Sequence, residues 1–269
     1  MTFSPRDVCQ VLPVDLSEEL VLRGGLAAEF PMYIYLDNTK RFILYSKSIK
    51  SLLDDPRTPK PLVLSDRGIS FLLQSGVVPP PGTVYRDVFI LGIGDKARIR
   101  TEGNEIAVKM EHEFPFRYPD RQLSIGIAEI ERFLLELLIE AISSRVKNSL
   151  PSFLFHSAGK DSNTIALALA EAGWQDRVTL ITQKLGGEKD ESKISADIAK
   201  KLGFSHIVLR GRGKPGSDEK KSVSEYFKII PLPCTDSAAL AYAFYGAEIP
   251  ELHGSNLIDG MGNDVYMGH

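Results

Sequence analysis

The stretch from Phe155 to Ser162 holds the side chains and the local pattern best suited to chemistry in this chain. An apolar, strand-like run over 152–155 enters a turn of small residues, and a helix-like run over 164–172 follows. Such a turn directs backbone N–H groups and the positive end of a helix dipole at one point. Small residues let a phosphate oxygen approach that backbone closely, and Ser157 and Ser162 add hydroxyl donors.

Asp161 lies inside the same turn, where its negative charge would repel a phosphate. A carboxylate at this position is explained if it holds Mg²⁺, which then bridges to the phosphates. The turn therefore predicts a cradle for pyrophosphate and magnesium. The alternative is an ordinary connection between a strand and a helix, because such connections often contain Gly and Ser. The turn is not a Walker A loop, since Asp161 rather than Ser or Thr follows Gly159-Lys160.

A second turn of the same kind follows the apolar residue Ile258 and reads Asp259-Gly-Met-Gly-Asn-Asp264. Two such turns on one sheet could place Asp161 and Asp264 on one magnesium ion, with the glycine backbone against a nucleotide. Taken alone, the second turn is equally well a glycine-rich turn with a solvated carboxylate.

Strands and helices alternate in the part of the chain that carries both turns. This alternation predicts a doubly wound parallel sheet, in which ligands bind at the carboxyl ends of the strands. Asp190 is expected to cap the helix that follows the second strand. The predicted strands are 152–155, 178–182, 206–209 and 256–259, and the predicted helices are 127–147, one from about 163, 190–202 and 236–247.

The first part of the chain is predicted to be rich in β-structure. Residues 32–36 and 41–45 form a hairpin pattern, and further strands are predicted over 88–91, 97–100 and 106–110. A helix is expected over 65–74, with Ser65 as its N-cap and Gly76 past its end. The fold class is therefore α/β with a smaller β-rich α+β domain in front, and the two domains are predicted over 1–122 and 123–269.

Composition and charge exclude several classes of function. Of the 269 residues, 43% are hydrophobic and 25% are charged, which is typical of a globular protein. A net charge of −3 gives no strong field for nucleic acid or membrane, and no apolar run reaches the length of a membrane span. The two cysteines form neither a disulfide framework nor a metal site. We expect a cytoplasmic protein without a nucleic-acid or membrane partner.

The sequence Ser157-Ala-Gly-Lys-Asp-Ser162 resembles the PP-loop, Ser-Gly-Gly-x-Asp-Ser, of N-type ATP pyrophosphatases. Within that superfamily the chain is similar to the asparagine synthetase group, which includes β-lactam synthetases and lasso-peptide cyclases, from about residue 30 to the end. Asp190-Glu191 and the turn at 259–264 add to the resemblance. Ala158 replaces the first glycine of the loop pattern, and Val265 stands where Glu is common.

The resemblance implies an adenine nucleotide alpha hydrolase-like fold with ATP and Mg²⁺ as cofactors. The loop would bind pyrophosphate, the end of the next strand would contact adenine through its backbone, and the second turn would lie against the nucleotide. The implied magnesium ligands are Asp161 and Asp264. The implied nucleotide-binding residues are Ser157, Ala158, Gly159, Asp161, Ser162, Ile181, Thr182, Asp259, Gly260 and Gly262.

The N-terminal part, through 42–53 and 72–84, resembles the second half of the family's glutaminase domain, an N-terminal-nucleophile fold. The nucleophile of that domain is a cysteine directly after the initiator Met, where this chain has Thr2. Cys9 is not terminal, so it lacks the free α-amino group that serves as the base in this chemistry. Too few residues precede the match to complete the two-sheet fold. We expect a partial glutaminase-like domain that does not hydrolyse glutamine.

The resemblance implies a ligase that adenylates a small-molecule or peptide carboxylate, releases pyrophosphate and passes the acyl group to ammonia or an amine. A separate glutaminase or a second copy of the chain is an expected partner. The alternative is a nucleotide-binding module or a fragment, because family members continue past the second turn with a helical region that carries catalytic side chains. Thiolation of a nucleobase ranks lower, since a catalytic cysteine pair is absent.

Overall fold

The computed structural model describes residue 4 and residues 6–25, 31–113, 126–184, 190–209, 220–221, 224–225, 232, 245–246 and 248–260. The chain divides into two compact units. The first comprises Met1–Arg121 and Glu225–Ser237, and the second comprises Gln122–Ser224 and Ala238–His269. Along the described part of the chain, no helix is both long and apolar enough to cross a bilayer.

The first unit contains two antiparallel sheets. The four-stranded sheet has the order β1-β4-β3-β5, and the three-stranded sheet has the order β2-β6-β7. The strands are β1 (Cys9–Val11), β2 (Leu20–Arg23), β3 (Met32–Leu36), β4 (Ile43–Ser46), β5 (Val88–Leu91), β6 (Asp95–Glu102) and β7 (Glu105–His112). The predicted hairpin is therefore confirmed as β3 and β4.

One apolar core joins the two sheets of this unit, with Ile34 and Ile43 from the first sheet and Ile99 and Ile106 from the second. The unit thus contains two sheets. From the sequence, too few residues were expected before the glutaminase-like segment to complete the two-sheet fold of that domain, and this expectation stays a prediction. The described part of this unit also contains a short helical turn (Pro13–Asp15) and two helices, α1 (Ile49–Asp54) and α2 (Asp66–Ser75).

Helix α2 has the predicted N-cap, Ser65, and ends at Ser75, one residue later than predicted and directly before Gly76. The Ser65 hydroxyl accepts a hydrogen bond from the Gly68 N–H, and Gly76 ends the helix with φ of 78°. That left-handed conformation favours glycine and lets the Gly76 N–H donate to the Leu72 carbonyl.

The second unit contains a four-stranded parallel sheet with the order β10-β9-β8-β11. The predicted parallel sheet is confirmed. Most of the helix predicted over 236–247 lies outside the described residues. The strands are β8 (Ser152–Phe155), β9 (Val178–Gln183), β10 (Ser205–Leu209) and β11 (Asn256–Ile258), and the helices are α3 (Ile127–Ser143), α4 (Lys160–Glu171), α5 (Ser192–Leu202) and a short turn at Pro250–Leu252.

Both faces of this sheet are covered. Leu154 and Leu180 pack with residues of α4 and α5 on one face. Phe153 and Ile181 pack with Ile249 on the other face. Burial on both faces explains why β8 and β9 place apolar side chains on both faces of the sheet.

Two helices of the second unit begin at different residues than predicted, and both differences affect the site. Helix α4 begins at Lys160 rather than at about 163, because the extended Gly159 (φ −69°, ψ 152°) serves as its N-cap. Asp161 therefore lies in the first turn of the helix. Helix α5 begins at Ser192 with Glu191 as N-cap, while the Asp190 side chain accepts from the Ser192 N–H. The prediction of Asp190 as the N-cap is wrong by one residue.

Candidate functional site

A cavity of about 350 Å³ opens at the carboxyl ends of β8, β9 and β11. The strand order reverses here, because the chain runs outward from β8 through β9 to β10 and then returns to place β11 on the other side of β8. Parallel sheets bind ligands at such switch points. The lining residues are Phe155, His156, Ser157, Gly159, Asp161, Ser162, Ile181, Thr182, Gln183, Glu191, Tyr245, Asp259 and Gly260.

The loop after β8 is held in shape by its own hydroxyl groups. The Ser157 N–H donates to Ser162 Oγ at 3.1 Å, and the Gly159 N–H donates to Ser157 Oγ at 3.1 Å. The Asn163 amide donates to the Ala158 carbonyl at 3.0 Å. The Ser162 hydroxyl is buried and lies among loop oxygens, so its first role is to fix the loop conformation.

Asp161 presents a buried carboxylate oxygen to the site. Its Oδ1 atom is shielded from solvent and has no hydrogen-bond partner in the described part of the chain. A buried carboxylate oxygen without a partner is costly unless a cation or a donor meets it. The positive end of the α4 dipole favours the charge, but it does not complete the coordination of this oxygen.

The cavity lining is acidic. Asp161, Glu191 and Asp259 line it, and among the described lining residues there is no Lys or Arg. Within the described ranges, no group of three or more His, Cys, Asp and Glu side chains is arranged to enclose a metal. This donor set suits Mg²⁺, which proteins bind through one or two carboxylates while substrate phosphates and water complete its coordination. Asp161 is the residue that would hold it.

Gly260 brings the second turn against the first. A Cβ atom at this position would lie 3.2 Å from Asp161 Cβ and 3.3 Å from the Ser162 nitrogen. Only glycine permits this approach without displacing the start of α4. Asp259 lines the same cavity. The structure therefore brings the two predicted turns together, while the predicted residues Gly262 and Asp264 lie outside the described part of the chain.

A buried polar network lies directly beneath the loop. His156 contacts Ser195 Oγ through Nδ1 at 2.5 Å and Asn163 Oδ1 through Nε2 at 2.9 Å. Thr182 donates to the His156 carbonyl at 2.8 Å and also contacts Ser195. His206 Nε2 lies 3.0 Å from Thr182 Oγ1 and 3.2 Å from Ser195 Oγ. The network links β8, β9, β10, α4 and α5 at one edge of the sheet.

The hydrogen bonds define the protonation of His156. Because the Asn163 amide nitrogen donates to Ala158, its oxygen accepts, and His156 Nε2 must carry the proton. The Nδ1 atom of the neutral ring then accepts from the Ser195 hydroxyl. Burial lowers the pKa of His156, although the hydrogen bond to Asn163 opposes this effect. Burial also lowers the pKa of His206.

The opposite side of the cavity is aromatic and apolar. The rings of Phe155 and Tyr245 lie 5.3 Å apart and are tilted by 33°. The Tyr245 hydroxyl donates to Gln183 Oε1 at 2.7 Å, and Ile181 lies on the same side of the sheet. This wall offers a flat, largely apolar surface next to an acidic loop, as in many small-molecule sites.

Eight of the residues that the sequence predicted to bind the nucleotide line the cavity. They are Ser157, Gly159, Asp161, Ser162, Ile181, Thr182, Asp259 and Gly260. Ala158 is not a lining residue, but its N–H donates to Glu191 at 2.9 Å. Glu191 was not among the predicted site residues. Its position at the start of the helix after β9 was a usable signal, because helix starts after parallel strands lie at the same edge as the loop.

Comparisons with known proteins give limited information. No protein-family model matches the chain, and no curated protein matches it. Among solved structures, the chain is similar to the NH3-dependent NAD synthetase from Campylobacter jejuni subsp. jejuni NCTC 11168 in complex with the nitrate ion. The sequence identity is 14%, and the match covers 54% of this chain and 62% of that chain, with a TM-score of 0.33. The chain thus spans less than two thirds of the length of that synthetase. The fold of the chain is described by its own strand order and register.

Proposed function

We propose that this chain binds ATP with Mg²⁺ and uses it to adenylate a carboxylate for amide formation. The observation that carries the proposal is the buried Oδ1 of Asp161 at the start of α4, which has no hydrogen-bond partner among the described residues, with Gly260 packed against Asp161. A loop amide, a helix N-terminus and the carboxylate of Asp161 next to an aromatic wall suit a polyphosphate, its cation and a flat base. The resemblance of 157–162 and 259–264 to the asparagine synthetase group supports the same assignment.

The proposed reaction has two steps. A carboxylate oxygen of the substrate attacks the α-phosphorus, the bond to the bridging oxygen of the β-phosphate breaks, and pyrophosphate leaves. The nitrogen of ammonia or an amine then attacks the acyl carbon, AMP leaves, and the nitrogen releases a proton. Mg²⁺, when bound, offsets the charge that develops on the leaving pyrophosphate.

The residues of this chain have separate tasks in that scheme. Asp161 holds the cation, Ser162 and Asn163 fix the loop, and Gly260 lets the second turn lie against the nucleotide. Ile181, Thr182 and the Phe155–Tyr245 pair form the side of the cavity where the base would lie. Asp264 is proposed as the second cation ligand. The first unit is proposed as a glutaminase-like domain without its nucleophile.

The test is to incubate the protein with ATP, Mg²⁺, a panel of carboxylates and either ammonia or amines, and to quantify the products. We expect AMP and pyrophosphate in equal amounts, and their formation to be lost in Asp161→Asn. Formation of ADP and phosphate instead would contradict the proposal.

A second candidate function is a nucleotide-binding module without turnover. One observation favours it: among the described lining residues there is no Lys or Arg that could stabilise charge on the reacting phosphate. Calorimetric ATP binding without pyrophosphate release, across the whole panel of carboxylates and amines, would support this candidate over the ligase.

A further inference from the structure

We propose that Glu191 makes the phosphate loop selective for polyphosphates that carry a divalent cation. The inference rests on the proposed function and assigns a specificity-determining role to Glu191, the N-cap residue of α5. It follows from one contact, from the bonding of the neighbouring amides and from the charge of the cavity.

The contact is a hydrogen bond from the Ala158 N–H to Glu191 Oε2 at 2.9 Å. Backbone amides that precede a helix are the groups that bind phosphate oxygens in loops of this kind. The carboxylate oxygen of Glu191 therefore occupies the position, relative to this amide, that an oxygen of a bound anion takes. Glu191 also lines the cavity, 33 residues along the chain from Ala158.

The neighbouring amides are satisfied in a different way. The Ser157 N–H is bound by the Ser162 hydroxyl and the Gly159 N–H by the Ser157 hydroxyl, both within the loop itself. Ser162 is buried and cannot leave without opening the start of α4. Glu191 is exposed, so its carboxylate can turn into water at little cost. The Ala158 amide is thus the loop donor that an incoming anion gains most readily.

The charge of the cavity determines which anions can displace Glu191. Asp161, Glu191 and Asp259 all line it, so a metal-free polyphosphate meets three carboxylates. A magnesium complex of the same polyphosphate carries two fewer negative charges and offers its cation to Asp161. Glu191 therefore penalises the metal-free form more than the metal complex.

The test uses isothermal titration calorimetry of the full chain with pyrophosphate, once in EDTA and once in excess Mg²⁺. Glu191→Gln keeps the shape and an acceptor oxygen for the Ala158 N–H but removes the charge. Asp197→Asn, at an exposed position on the same helix that does not line the cavity, is the matched control.

We expect Glu191→Gln to tighten metal-free binding about tenfold, to leave binding in Mg²⁺ within about twofold, and to lose part of the gain at high salt. We expect no change in Asp197→Asn. Equal metal-free affinities in Glu191→Gln and Asp197→Asn would overturn the inference. Weaker binding of Glu191→Gln in Mg²⁺ would also overturn it, because Glu191 would then be a cation ligand. If neither the wild-type protein nor Glu191→Gln binds pyrophosphate in either buffer, the proposed function fails and the inference fails with it.

Discussion

Carboxylates are used in opposite ways in the two units of this chain. In the first unit, the strands β6 and β7 carry ion pairs, such as Arg98 with Glu111 at 2.9 Å and with Glu19 at 2.6 Å. In the described part of the second unit, Asp161 keeps a buried oxygen without a hydrogen-bond partner, and Glu191 contacts a backbone amide. The charges of an exposed ion pair are satisfied locally, and such a pair adds little to the free energy of unfolding. An unsatisfied buried carboxylate needs a different explanation, and a bound cation supplies one.

The comparison predicts that Asp161→Asn has the largest effect on binding. A neutral amide is a poor ligand for Mg²⁺, so affinity for pyrophosphate in excess Mg²⁺ should fall about a hundredfold. Stability should not fall, because the substitution removes a buried charge that lacks a partner. Calorimetry measures the affinity. Unfolding followed by the fluorescence of Trp174, the only tryptophan of the chain and a core residue of the second unit, measures the stability.

Asp66 offers a matched control for this substitution. It also lies in the first turn of a helix, α2, but it belongs to the first unit and is exposed. Asp66→Asn should leave pyrophosphate affinity unchanged. An Asp161→Asn protein that binds as tightly as Asp66→Asn would show that the orphaned oxygen does not hold the cation.

Gly260→Ala is predicted to have the next largest effect. The new Cβ would lie 3.2 Å from Asp161 Cβ and 3.3 Å from the Ser162 nitrogen, so the start of α4 must shift. We expect pyrophosphate affinity to fall about tenfold and the second unit to lose about 1–2 kcal/mol of stability. Gly126→Ala is the control, since nothing lies within 4 Å of its Cβ position. If the two variants bind pyrophosphate equally well, the close contact between the two turns does not contribute to binding.

The strands and turns that form this site were predicted well from the sequence, because these elements depend on local patterns. Apolar runs of four to six residues located β8 and β9, and their alternation with helices predicted the parallel sheet. The carboxyl ends of parallel strands meet at one edge, so the turns at Ser157 and Gly260 were expected to come together. Both line one cavity.

The contacts that complete the site could not be predicted in the same way. The Ala158–Glu191 hydrogen bond spans 33 residues and depends on where α5 begins, and the sequence placed the N-cap of this helix one residue early. The link from His156 to Ser195 in α5 depends on tertiary packing. Thr182 was assigned to the nucleotide, while its hydroxyl donates to the His156 carbonyl. Patterns locate elements, whereas partners of single polar atoms depend on the packing of several elements.

The buried histidines predict that the second unit loses stability in mild acid. Burial lowers the pKa of both His156 and His206, so the unfolded chain, with a pKa near 6.5, binds protons that the folded unit does not. Their contribution is therefore present above pH 6.5 and is lost as the pH falls toward the lowered values. The slope can reach about 1.4 kcal/mol per pH unit for each histidine. Denaturation followed by Trp174 fluorescence at several pH values between 8 and 5 measures it.

A single substitution isolates one of the two histidines. His206→Gln keeps a polar group beside Thr182 and Ser195 but does not titrate. We expect a shallower dependence of the unfolding free energy on pH in this variant. The same slope in the variant and the wild-type protein would show that His206 is not protonated differently in the folded and unfolded chains.

The smallest effect is expected for Glu111→Gln, and it should appear in a different pH window. Hydrogen bonds from Lys109 and Arg98 lower the pKa of Glu111 to about 2, from an ordinary value of 4.5. Its contribution is present above pH 4.5 and is lost as the pH falls through about 2, well below the window of the histidines.

Hydrogen exchange of the β6 and β7 amides, in wild type and Glu111→Gln from pH 6 to 2, measures this contribution of Glu111. Glu105→Gln is the control, because the ion pair of Glu105 with Lys40 is loose, with 3.7 Å between the Lys40 nitrogen and the Glu105 oxygen. A Glu111→Gln protein that responds to acid like Glu105→Gln would show that the first unit's ion pairs do not set its acid stability, and the contrast between the units would then rest on the loop alone.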